Sequence, residues 1–253
     1  MMVLPVIVRA VVRRLLGRRR SLWLIALSAG PAPILLMVAQ GRSAARGAEL
    51  YNDITVVLGV VILYPVVALI ISTAALGEEW KNHTLPFLLI KPVSRWVIAL
   101  GVVIATALSS FLVLEAGVLI TWAVGGIVGG DWSVGIATTV AVAIQSVASA
   151  AIFVPFGLIL GRATLVGLGY LLVWEGVLSN VIEGIQASSV SRIVLSGWAD
   201  LAVMTIDTLS SVDEVLGRVE VGLGGAVAKV GVMALVSVAL TGLVLRHKDL
   251  VGE

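Results

Sequence analysis

Read for the alternation of apolar and polar positions, the chain consists of six long apolar runs separated by short polar breaks. The runs cover about residues 22–40, 54–77, 96–124, 133–160, 164–182 and 223–245. Several reach the ~20 residues that an α-helix needs to cross a hydrocarbon core of roughly 30 Å, whereas a barrel would use much shorter strands. The pattern predicts an all-α polytopic membrane protein with six transmembrane helices, forming a single domain over 1–253. Six crossings put both termini on the same side.

Three segments outside the runs have patterns of their own. Over residues 1–21 the spacing predicts a helix from about 3 to 20. At 100° per residue Arg9, Arg13 and Arg20 share one face, while Leu4, Val8, Val11 and Leu15 gather on another. That is the pattern of an interfacial helix on an anionic membrane surface; the alternative is a solvated basic tail. A signal peptide does not fit, because the arginines follow the first apolar residues and no small-residue cleavage site precedes the first run. Residues 183–222 carry scattered acids and serines with apolar residues at helical intervals. They are too polar to span and predict two short amphipathic helices, an extracytoplasmic cap on the ends of spans 5 and 6.

The third segment, 78–95, is the longest polar break in the middle of the chain. Gly77 closes the second run, Glu78 and Glu79 follow, Thr84 and Pro86 suit a helix start, and Lys91-Pro92 ends it. Leu85 falls at the boundary, since a residue before proline avoids helical angles. The resulting helix of one to two turns is too short to be stable alone in water. It either tucks under its own bundle or docks on a partner.

Composition sharpens this picture. Hydrophobic residues make up 59% and charged residues 13%, with a mean hydropathy of +1.11, values foreign to soluble domains. The net charge of +2 matters less than its placement. Twelve basic residues (Arg9, Arg13, Arg14, Arg18, Arg19, Arg20, Lys81, Lys91, Arg95, Arg162, Arg246 and Lys248) fall on one side, against Arg42, Arg46, Arg192 and Arg218 on the other. Lys and Arg are held in the cytoplasm, so both termini and the 78–95 loop are expected there. The glycosylation pattern Asn82-His83-Thr84 is then a chance match. With no cysteine and only His83 and His247, neither a metal site nor a bound cofactor is expected.

Two acids interrupt the spans. Glu115 and Glu175 fall past the midpoints of spans 3 and 5, where a charged side chain costs about 2.5–3.5 kcal/mol on insertion scales. They line a substrate path or share a proton, or they are structural hydrogen-bonding groups between helices. Gly125, Gly126, Gly129 and Gly130, and again Gly157 and Gly161, are spaced for close helix packing.

The stretch "GEEWKNHTLPFLLIKPVSRWVIALG", between spans 2 and 3, resembles the loop of the ABC type-2 transporter permease family. An acidic pair, a Thr-Leu, an aliphatic cluster and a Pro-Val-Ser-Arg recur there in this order, here Glu78, Glu79, Thr84, Leu85, Leu88, Leu89, Pro92, Val93, Ser94 and Arg95. Pro86 departs from that pattern. The basic helix before span 1, the six spans and the closing "LRHKDL" agree with it more loosely. The resemblance implies a permease that works with two cytoplasmic ATP-binding subunits and a second permease copy, in a homodimer. Glu78, Glu79, Thr84, Leu85, Leu88, Leu89, Pro92 and Arg95 would then form the ATPase-coupling element, and nucleotide closure would rock the permease between two openings, as in an exporter.

The residues agree in one respect: no G-x-x-x-x-G-K-[ST] occurs, so ATP and its magnesium belong to a partner chain. The spans hold no nucleophile with a base and no aspartate pair, so an intramembrane enzyme is not expected. An ATP-independent carrier or channel is the remaining alternative, although the two halves do not match as inverted repeats would. Lipid is the expected surroundings and nucleic acid is not an expected partner. The cargo is not legible in these side chains.

Overall fold

A computed structural model describes residues 3–17, 19–81, 93–130, 132–181, 183–202 and 221–247, and all regular structure among them is helical. Helix α1 (Val3–Leu16) precedes a first span built from α2 (Arg19–Ser28) and α3 (Pro31–Ala39). The second span joins α4 (Ala44–Ile54), a π-helical segment (Thr55–Leu63) and α5 (Tyr64–Lys81) without a break. The third and fourth spans are α6 (Arg95–Gly129) and α7 (Ser133–Ile159). The fifth comprises α8 (Ala163–Gly169), a second π segment (Tyr170–Leu178) and α9 (Ser179–Val181). A 3-10 turn (Glu183–Ser188) leads to α10 (Val190–Ala199), and α11 (Gly222–His247) is the last span.

Five of these stretches are long and apolar enough to cross a membrane: Arg19–Ala39, Ala44–Gly77, Arg95–Gly129, Ser133–Ile159 and Gly222–His247; the apolar helix Ala163–Leu178 is shorter. The protein is thus an all-α polytopic membrane protein. Of these five, the fourth span is the most enclosed and the last the least, with 72% against 22% of their apolar windows buried.

Several bounds differ from those the apolar pattern predicts. α1 ends at Leu16, and Arg19 and Arg20 belong to the next helix. Its apolar stripe packs on the bundle: Val11 and Leu15 are buried, and Leu4 and Ile7 reach Gly101 of α6, while Arg9 and Arg13 are exposed. The first span is interrupted at Ala29-Gly30, ahead of Pro31, where the amides of Gly30 and Ala32 bond three residues back.

The second span begins ten residues before the predicted start, at Ala44, where the Ser43 side chain accepts from the Arg46 amide as an N-cap. Glu49, Asn52 and Asp53 hide this helix from a hydropathy reading. It forms because one face lies against the glycine-rich end of α6: a Cβ on Gly129 would stand 2.7 Å from the Ala48 backbone, and one on Gly125 2.6 Å from the Tyr51 ring. The same contact keeps Gly125–Gly129 helical despite their propensity. Gly130 then ends α6 with φ +70°. At the other end of the bundle Gly157 meets the carbonyl of Thr73 and the amide of Gly77, a close crossing of the second and fourth spans, whereas Gly161 faces open space.

The polar insert is only in part a surface cap. α10 is driven into the bundle, with Val190 and Arg192 through Trp198 all buried among α7, α11 and the first π segment. Trp198 is wholly enclosed and its Nε1 donates to Thr138 Oγ1 of the fourth span at 3.1 Å. The second predicted helix of the insert lies outside the described residues.

Candidate functional site

Two nine-residue π segments are the irregular feature of this bundle. The first, Thr55–Leu63, is rich in β-branched residues, which crowd the preceding turn of an α-helix. The amide of Tyr64 closes it on the Gly59 carbonyl, and the Tyr64 ring lies over Gly59, where a Cβ would stand 2.9 Å from Cζ. In an α-helix residues five apart diverge by roughly 140°, but the i→i+5 bonds of a π-helix bring them to one face. The second segment uses the same register: Tyr170 donates from its hydroxyl to Glu175 Oε1 at 3.0 Å. π segments in α-helices are frequent at functional sites.

Both segments face one cavity of about 210 Å³. Val61 and Ile62 line it from the first, Leu171, Leu172 and Glu175 from the second, and Ser191 and Arg192 from the inserted helix. Glu175 joins its walls. Oε1 accepts from Tyr170 and from the Val190 amide at 2.9 Å; Oε2 accepts from Ser189 Oγ at 2.7 Å and the Ser191 amide at 3.1 Å. Ser189 meanwhile accepts from the Arg192 amide as the N-cap of α10. Glu175 therefore sits at the positive end of α10 and takes up amides that the start of a helix leaves open. Burial lowers the pKa of Arg192 from its usual value, and the negative charge of Glu175 opposes that shift.

A carboxylate has about four acceptor positions, and here four donors occupy them. Glu175 is consequently a joint between the fifth span and α10, with its carboxylate lone pairs already engaged. Glu115 differs. Its Oε1 accepts from Thr139 Oγ1 at 2.9 Å, joining the third and fourth spans, and its Oε2 is buried without a hydrogen bond. The two glutamates share no hydrogen bond and line no common cavity among those described.

Of the residues expected to couple to an ATPase, Thr84, Leu85, Leu88, Leu89 and Pro92 lie outside the described residues. Glu78 and Glu79 fall in the last turns of α5, which the helix carries beyond Gly77 to Lys81. Arg95 reaches across to the end of the last span, where Nη1 donates to the carbonyls of Leu245 at 2.6 Å and Arg246 at 2.9 Å. Nearby, Arg14 of α1 donates to the Ala75 carbonyl. One end of the bundle thus gathers α1, the end of the second span, the start of the third and the end of the last.

Tyr170, Ser189 and Arg192 were not singled out by the sequence pattern. The spacing of five between Tyr170 and Glu175 carries no meaning in an α-helical reading, although Ser189 ahead of an apolar run is a recognisable N-cap signal.

The sequence profile described as ABC-2 family transporter protein matches residues 16–182, about two-thirds of the 253-residue chain. None of the curated proteins compared with the chain matches it.

Proposed function

Because the chain belongs to the ABC-2 family of transporter proteins, and is therefore a membrane permease subunit of an ABC transporter rather than itself a catalyst, we propose that it is an exporter working by alternating access. Two cytoplasmic ATP-binding subunits drive it, and a second copy of the chain completes the pathway. Both termini and the 78–95 loop lie in the cytoplasm of a bacterium, and the cavity at Glu175 lies in the outer half of the inner membrane. Closure of the ATP-binding subunits on nucleotide moves the loop helix, and this differential binding of ATP to one state shifts the bundle between two openings.

The observation that best supports this reading is the convergence of both π segments and the buried helix α10 on one cavity. There the bundle departs from uniform α-helix on two walls, and a carboxylate clasp ties the third wall, α10, to the second of them. Apolar side chains and serines line it together, a surface that an amphipathic cargo can follow.

The test is made on the loop, in membranes that also contain an ABC-type ATP-binding subunit. Replacing Glu78 and Glu79 by Lys, or Leu88 and Leu89 by Asp, leaves the permease inserted but removes co-purification of the ATP-binding subunit. Survival of association and of ATP-driven transport in both variants refutes the coupling assignment; transport with the ATP-binding subunits absent points to a carrier or channel.

A further inference from the structure

The last helix, α11, touches the bundle along a single stripe. Its buried residues Ala226, Val230, Ser237, Thr241, Gly242 and Leu245 recur at helical spacing, while Val227, Val232, Leu235, Val236, Leu240 and Leu243 are exposed. Its two ends are nevertheless fixed by side chains from other elements. At the His247 end, Arg95 donates to the carbonyls of Leu245 and Arg246, and Trp96 packs on Gly242 so closely that a Cβ there would stand 2.6 Å from the ring. At the Gly222 end, Ser196 Oγ accepts from the amides of Val221 and Gly222, both at 2.9 Å, and Asp200 Oδ2 accepts from the Leu223 amide at 2.6 Å.

Each fixture satisfies backbone groups that a helix terminus leaves open, with a cation at the negative end and an anion at the positive end. Between them lie 26 helical residues, about 39 Å at 1.5 Å per residue. The far fixture belongs to α10, whose own first amides are held by Glu175 at the cavity. Gly197 of α10 also lies against α11, with Ala226 Cβ 3.5 Å from the position a Cβ would take.

We propose that α11 is a strut. It carries displacement of the start of the third span to α10 at the opposite end of the bundle, with Arg95, Ser196 and Asp200 as its positioning residues. The inference rests on the permease reading, and it assigns the route by which movement at the loop end reaches the cavity.

The chain contains no cysteine, so a single Ser191→Cys replacement reports on the cavity wall. The labelling rate of this thiol by a small methanethiosulfonate is measured in the complex with its ATP-binding subunits in lipid nanodiscs, with and without ATP and vanadate. The parent changes its rate on nucleotide trapping by about fivefold or more, the scale of ordinary allosteric coupling. Arg95→Ala, or the pair Ser196→Ala and Asp200→Asn at the far end, reduces that response to under about twofold, and combining the two ends causes no further loss, because one broken joint already disconnects the strut. The far-end pair leaves Arg95 untouched, so a folding defect in Arg95→Ala does not blunt the test. A response that persists in the far-end pair overturns the strut while leaving the permease reading intact, and so do independent partial losses that add. A parent that shows no nucleotide response overturns both.

Discussion

Replacing Glu175 by Gln changes one atom and tests the clasp that holds α10 against the fifth span. In the native protein each carboxylate oxygen receives one hydroxyl and one backbone amide: Tyr170 and Val190 on Oε1, Ser189 and Ser191 on Oε2. A carboxamide turns one oxygen into a donor. The hydroxyl facing it can rotate and accept, but the amide facing it cannot. In either orientation of the glutamine one amide, Val190 or Ser191, is therefore left without an acceptor. Such an orphaned donor costs about 1–3 kcal/mol, equivalent to about 5- to 150-fold in the local opening equilibrium. Hydrogen exchange at residues 189–192, followed by mass spectrometry in nanodiscs, reads that opening directly. Glu175→Gln is expected to accelerate exchange there by this factor, and Glu175→Ala, which removes all four bonds, by more. Exchange in α7 should remain at parent rates. Unchanged exchange at the start of α10 in both variants would refute the clasp.

Two further predictions concern packing. Gly157→Val should destabilise the protein by about 1–3 kcal/mol, because its Cβ would stand 2.9 Å from the Thr73 carbonyl oxygen, while Gly161→Ala, in open space, should leave the melting temperature in detergent unchanged. Trp198→Phe should cost about 1 kcal/mol for the lost Thr138 bond, and Trp198→Ala about 3–5 kcal/mol for the cavity; equal melting temperatures for these two variants would show that the enclosed ring contributes nothing.

The spans were legible because lipid demands length and apolarity, and residues 133–160 mark the fourth almost to the residue. What was not legible depends on contacts between distant segments. Glu49, Asn52 and Asp53 read as a break before the second span, while Gly125–Gly129 read as glycines spaced for close helix packing with no partner named. Each segment becomes helical by packing on the other, as Ala48 on Gly129 shows. Glu175 stood out as an isolated acid in an apolar run, but its backbone partners lie 15 and 16 residues further on, beyond a turn. The π register was illegible for a different reason: apolar residues fill every face of Thr55–Leu63, so no periodicity distinguishes one helical pitch from another. Arg95 was visible as part of a motif, whereas its partners are 150 and 151 residues away.

The fifth crossing also has a consequence for the surrounding bilayer. From Ala163 to Val181 it rises about 28 Å at full α-helical pitch, and π winding, which fits more residues into each turn, shortens it. A crossing shorter than roughly 30 Å of hydrocarbon is accommodated by thinning of the bilayer, by snorkelling of flanking residues or by association with other helices. Leu172 and Val173 face outward on this flank, so the thickness of the host membrane is a variable that bears on this one helix.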